Sequence, residues 1–414
     1  MKKILLLFIL VAVAGCKSEP QIAENKIKED VTILADDKLE GRQTGTKGEE
    51  LAAEYIVGRF KDIGLSEKGT EGYIQSFSFK PKTDPHKEVE FSTNEDGTIT
   101  GKNIIGFLDN NAKTTIVIGA HYDHLGYGGE GSLYREGDKA IHNGADDNAS
   151  GVAVMLNLAS RLKLKNDQAE IKDKNNYLFM AFSGEEMGLL GSNFFSKNPT
   201  IDAKSINYMI NMDMVGRMKA DSTLAVYGTG TSPIFKQTLK SHNDKFKLIE
   251  NESGVGPSDH TSFYLIDVPV LHFFTGQHED YHKPSDDTEK LNYEGMSLIS
   301  DYILDIVSDL DDNGELAFRT TKNESEETPR FKVGLGVVPD YLYDGEGMRI
   351  DGTREETPAF NAGLQKGDIV LKLGDSTVTD MMSYMRALSV FEKGDDANIT
   401  VKRGQETIET KVKF

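Results

Sequence analysis

Five short segments carry His, Asp or Glu directly behind or close behind an apolar run: GAHYDH at 119–124, GADDNASG at 144–151, SGEEMGLLGS at 183–192, NMDMVGR at 211–217 and YHKPSDDT at 281–288. Imidazole and carboxylate together form a donor set that suits zinc, and a carboxylate shared between two ions can hold them roughly 3.5–4 Å apart. One such residue after a strand is ordinarily a cap, a turn residue or a satisfied polar group. Five segments of this kind in one stretch of chain are harder to assign to ordinary uses.

Something must bring these segments together. The apolar runs Thr115–Gly119, Tyr177–Phe182, Ile206–Met212 and Val268–Phe273 read as strands. Between them the spacing turns helical: 46–63 with Leu51, Tyr55, Phe60 and Ile63 and Gly64 as its C-cap, 150–162 with Val152, Met155, Leu156 and Ala159 on one face, then 187–195 and 293–310. Strands alternating with helices predict an α/β fold with a mixed, largely parallel central sheet flanked by helices. Sites in such sheets gather at the carboxyl ends of the strands.

The chain has 414 residues, 28% of them charged and 38% hydrophobic, with a formal net charge of −20. That length suits two or three domains, and the composition is that of a soluble globular protein. The negative charge argues against nucleic acid as a partner, which requires clustered Lys and Arg.

The five motifs, in this order, resemble the two-zinc exopeptidases of the aminopeptidase Y and bacterial leucyl aminopeptidase type, and the stretch 34–65 is similar to that family's N-terminal segment. The resemblance spans about residues 30–310 and implies two Zn2+ per chain. His121 and Asp213 would hold one ion, Glu186 and His282 the other, and Asp147 would bridge them. Asp123 would orient His121, and Glu185 would be the general base toward a zinc-bridged hydroxide. The expected activity is hydrolysis of N-terminal peptide bonds in peptides or proteins. A carboxypeptidase shares this metal centre. A glutaminyl cyclase shares the fold with a single zinc, against which intact His121 and Asp213 speak. A non-catalytic scaffold would have lost ligands or Glu185.

Asp259 and His260, in PSDHTSF, also resemble a family motif; they read equally as support behind the ligands or substrate pocket, or as structural residues. Asp286 reads as a partner for His282 or as a cap. His124 and His142 flank the ligand motifs and shape the pocket, Tyr281 is a weak candidate for touching substrate, and His86, His242, His272 and His278 read as surface or core residues.

Residues 311–330 are polar and read as a linker. Beyond them, residues 331–414 resemble a small, β-rich PDZ domain of the bacterial protease type. The resemblance makes Gly334, Leu335, Gly336 and Val337 the loop whose backbone N–H groups receive a peptide C-terminus. At the other end, two lysines, a short apolar run and Val13-Ala14-Gly15-Cys16 resemble a lipoprotein signal peptide. This implies cleavage after residue 15, lipidation of Cys16, a tether over 16–30, and an exported protein anchored to a bacterial cell-envelope membrane. Cys16 is the single cysteine, so the chain has no internal disulfide.

Overall fold

The computed structural model describes residues 19–80, 91, 98–129, 131–134, 137, 139–169, 173–321, 333–340, 343, 345–354 and 357–414. Cys16 and His86 lie outside them.

Nine strands form the first sheet: β1 (Ser66–Glu67), β2 (Ile74–Phe79), β3 (Ile99–Leu108), β4 (Thr114–His121), β5 (Asn175–Phe182), β6 (Ile206–Met212), β7 (Thr223–Tyr227), β8 (Lys247–Glu250) and β9 (Val270–Phe274). Their order is β1-β3-β5-β4-β6-β9-β7-β8, with β2 on β3. The middle four, β5-β4-β6-β9, are mutually parallel; β3 and β7 join them antiparallel on either side. The sheet is therefore mixed, with the parallel part where the candidate ligands sit.

These central strands are buried on both faces, which explains their unbroken apolar runs. Ile116, Ile118 and Ala120 of β4, with Tyr177, Phe179 and Ala181 of β5, face one core layer. Val117, Leu178, Met180 and Phe182 face the other. The first layer is closed by helices α1 (Glu19–Leu34), α2 (Lys47–Ile63), α3 (Gly151–Gln168) and, further along the chain, Tyr293–Leu310. Gly64 caps α2 in the left-handed conformation at φ 85°, as its position in the sequence predicts. The helix expected at 187–195 starts later, at Leu190, because residues 184–189 form a turn. Strand β9 starts after Pro269, whose nitrogen has no hydrogen to donate.

Two segments read as flexible are seated. From Glu19 the expected tether is helix α1, and Ile27, Val31 and Leu34 are fully buried. Their spacing is one apolar stripe, too short to stand out among polar neighbours. The segment from 311, read as a linker, is packed as far as Thr321. Asp311 accepts hydrogen bonds from the backbone of Lys174 and Asn175, Leu316 is buried, and Thr321 bonds to the Tyr264 hydroxyl.

The second domain is a six-stranded antiparallel sheet spanning Val337–Lys413 around its own core, which includes Leu335, Ile350, Val370 and Ile399.

Arg42 ties the N-terminal segment to the sheet. Its guanidinium is fully buried and donates to four carbonyl oxygens: Tyr122 at 2.7 Å, Leu34 and Asn143 at 2.6 Å, and Gly144 at 3.0 Å. Burial pulls it down to about 10, with Asp123 and Asp147 opposing, so it stays charged at neutral pH. Arg42→Met strands these carbonyls and removes the cation. It should cost about 3–5 kcal/mol of unfolding free energy by urea denaturation, with Arg42→Lys falling between. A loss below about 1 kcal/mol would show that Arg42 is no clamp.

Candidate metal centre

Each candidate ligand leaves the sheet at the carboxyl end of a parallel strand or on a loop beside it. His121 is the last residue of β4, Asp213 follows β6 directly, Glu185 and Glu186 sit in the turn after β5, and His282 lies on the loop after β9. Asp147 sits between β4 and α3, where the Asp147–Asn148 peptide is cis. Asn148 moors this loop to the end of β6: its Nδ2 donates to Met212 O at 3.0 Å and its Oδ1 accepts from Met214 N at 3.2 Å. Gly144 turns the chain into the loop at φ 54°, and a side chain there would meet the Asp147 carbonyl and the His124 ring.

The two oxygens of Asp147 serve two different groups. Oδ1 lies 3.3 Å from His121 Nε2, which is also 3.3 Å from Asp213 Oδ1. Oδ2 lies 3.2 Å from His282 Nε2, which is 3.1 Å from Glu186 Oε2. Donor atoms sharing a tetrahedral zinc at about 2.0 Å are separated by about 3.3 Å. Both groups have that edge length, so these residues fit zinc.

The carboxylates polarise one another. Burial, with repulsion from Asp213, Glu186 and Asp259, raises the Glu185 carboxyl well above its usual range, against the pull of His121. Burial opposes charge on Glu186 and on His282, but their mutual attraction wins: Glu186 falls to about 2 and His282 rises to about 11. Asp147, Glu185, Glu186, Asp213 and His282 line a cavity of about 90 Å³, whose other walls include Met214, Tyr227, Phe274 and Tyr281.

The remaining candidates divide. The Asp123 carboxylate stands 3.7 Å from His121 Nδ1, beyond hydrogen-bond reach, and the nearer contact is its backbone oxygen at 3.2 Å. Its carboxylate instead accepts from Glu185 N at 3.1 Å and Thr44 Oγ1 at 3.0 Å, so it holds the segment of the expected base. Asp286 does not reach His282, and it does not cap the helical turn Thr288–Lys290 that follows it, whose N-cap is Asp287. It accepts from the backbone N–H groups of Asp146 and Asp147 at 3.0 and 3.1 Å, while His282 Nδ1 lies 2.8 Å from Gly131 O. Asp259 and His260 are fully buried, and His260 stacks on His272 with centroids 4.4 Å apart. His272, expected in the surface or core, lines the cavity, and Tyr281 stacks on His282 at 3.8 Å. His142 contacts Ser132 Oγ and Ala140 O, away from the cavity wall. His278 lies 3.1 Å from Asp146. In the second domain Leu335 is buried in the core and Gly336 has φ 79°.

Sequence reasoning missed Glu49, which lies on α2 and is buried behind Asp123. It accepts from Ser183 Oγ, Tyr122 OH at 3.2 Å, Lys102 N at 3.4 Å and Gly45 N at 2.5 Å. Its only sequence signal was a glutamate on the inward face of an amphipathic helix.

Residues 103–307 match peptidase family M28, and residues 316–414 match the PDZ domain. A probable leucine aminopeptidase from Trichophyton verrucosum (strain HKI 0517) is 31% identical over 178 residues, 40% of this chain and 44% of that protein. The chain spans less than half the length of the curated relatives it matches first, 43–45%. Two solved structures share the fold. A zinc aminopeptidase from Bacillus subtilis has a TM-score of 0.53 at 19% identity, over 71% of this chain and 95% of that one. A glutaminyl cyclase from Bacteroides thetaiotaomicron has a TM-score of 0.53 at 17% identity, over 70% and 97%.

Burial raises Glu49 from 4.5 to about 7, against the hydrogen bonds from Ser183 and Gly45. The folded protein thus holds this proton more tightly than the unfolded chain. The stability it confers is complete below pH 4.5 and is lost as pH rises through about 7. Between about pH 4 and pH 8, the unfolding free energy of wild type should fall relative to Glu49→Gln by about 3 kcal/mol. Parallel pH profiles for the two metal-free proteins would refute this.

Proposed function

Because residues 103–307 form a peptidase family M28 domain followed by a PDZ domain, we propose that this chain is a zinc-dependent aminopeptidase with two metal ions. His121, Asp213 and Asp147 Oδ1 would hold one ion; His282, Glu186 and Asp147 Oδ2 would hold the other. The observation that carries the reading is the division of the Asp147 carboxylate between two donor groups of the same edge length. When bound, zinc supplies a water of lowered pKa and polarises the scissile carbonyl.

The protein's own groups do the rest. Glu185, whose backbone is held by Asp123, accepts the proton of the attacking water and returns it to the leaving amine. Asp147, Glu186 and Asp213 offset three of the four positive charges of two zinc ions. The aromatic and apolar wall of Met214, Tyr227 and Phe274 receives the substrate's terminal side chain. In the PDZ domain, the Gly334–Val337 loop would take the C-terminus of a longer peptide and raise the local concentration of its amino end. Among the described residues no helix is long and apolar enough to cross a membrane. The lipobox resemblance supports export and anchoring through Cys16.

Metal analysis should find two zinc ions per chain, and aminoacyl chromogenic substrates should be cleaved until chelator is added. Glu185→Gln should keep both ions and lose about 10²-fold or more in kcat. Long peptides with amidated C-termini should show a raised KM. One ion per chain with cyclisation of N-terminal glutamine would replace this reading with the cyclase one.

Cys16→Ser should move the protein from the membrane to the soluble fraction of fractionated cells. Retention on membranes would point to another attachment.

A further inference from the structure

His124 leaves β4 beside the ligands, yet the two-metal assignment gives it no part. Its side chain is fully buried, and its Nδ1 lies 2.7 Å from Glu186 Oε1 and 3.9 Å from Asp147 Oδ2. It offers a donor atom within 4.8 Å of others on Asp147 and Glu186, so ligation is the first thought. The distances argue otherwise. Two atoms sharing a tetrahedral zinc stand about 3.3 Å apart. Here one separation is too short and the other too long, whereas the His282 separations of 3.2 and 3.1 Å fit. A distance of 2.7 Å is that of an N–H donating to a carboxylate.

The other ring nitrogen fixes where the hydrogen is. His124 Nε2 is buried with no protein partner. A hydrogen there would be a stranded donor, and bare Nδ1 would face the Glu186 oxygen lone pair to lone pair. The hydrogen therefore sits on Nδ1. The ring has little room to turn: a Cβ at Gly144 would lie 2.6 Å from it, and it meets the His282 ring edge-on at 5.8 Å.

We propose that His124 is a positioning residue for the second metal site, its Nδ1–H occupying Glu186 Oε1 so that Oε2 alone turns toward His282. The inference rests on the two-metal reading. It adds that Glu186 binds through one oxygen, because a histidine of this chain holds the other. The same contact fixes the backbone next to Glu185, which adjoins Glu186 in sequence.

The test uses the zinc-loaded full-length protein and reads metal and tautomer, without substrate. His124→Leu removes the donor and keeps bulk; His124→Asn offers an amide N–H near the place of Nδ1. Competition with a chelating dye should show one of two ions bound about 10- to 100-fold more weakly in His124→Leu, and most of that loss restored in His124→Asn. X-ray absorption at the zinc edge should give the same average imidazole count in wild type and His124→Leu. Proton–nitrogen correlation spectra of wild type should place the His124 hydrogen on Nδ1. Unchanged affinities in the Leu variant, a drop in the imidazole count, or a hydrogen on Nε2 would each overturn the proposal. If His124→Leu does not fold, the tautomer in wild type decides alone. Failure of the two-metal reading looks different: wild type itself would take up fewer than two ions.

Discussion

The structure is organised around an electrostatic problem. Asp123, Asp146, Asp147, Asp259 and Asp286 are buried around the carboxyl ends of the central strands, with Glu185, Glu186 and Asp213 beside them. Like charges this close in a poorly hydrated site repel strongly, and the carboxylates take up protons unless something positive compensates. Asp259 and Asp286 are driven to about 7 chiefly by burial. Asp147 lies at the centre with both oxygens committed to histidines and its loop held from behind by Asp286.

Compensation comes in layers. Buried Arg42 is a fixed cation, and it spends its hydrogen bonds on carbonyls, so its charge serves the carboxylates through space. His278 beside Asp146 is raised despite burial. The proposed zinc ions would supply the largest share of positive charge. A sheet parallel at its centre is what lets so many acidic residues converge, because every strand end there points the same way.

The strands and long helices were legible because they repeat a pattern over many residues. Ile206–Met212 and Tyr293–Leu310 have the same bounds in sequence and structure. The candidate ligands were legible from their motifs, and the structure brings all five together. Their supporting partners were not. Asp286 binds two backbone N–H groups more than a hundred residues away, and Glu49 meets Ser183 across a similar gap; neither choice leaves a local trace. Composition misled at 311–321, where the Asp311 carboxylate accepts from backbone N–H groups of the first domain. It misled again at 19–30, where one apolar stripe is enough to seat a helix.

The Arg42 clamp joins residue 34 to residues 122, 143 and 144, whereas the M28 match begins at residue 103. The order of translation therefore matters. The clamp emerges first, the carboxylates follow, and His282 comes last. At about 5–20 residues per second, the stretch from Arg42 to His282 takes on the order of ten seconds or more to leave the ribosome. Until His282 emerges, a nascent chain carries the acidic groups made so far without the imidazole that completes the second donor group. Ion capture would then be a late event, favouring whichever divalent cation is most available where the finished chain first folds.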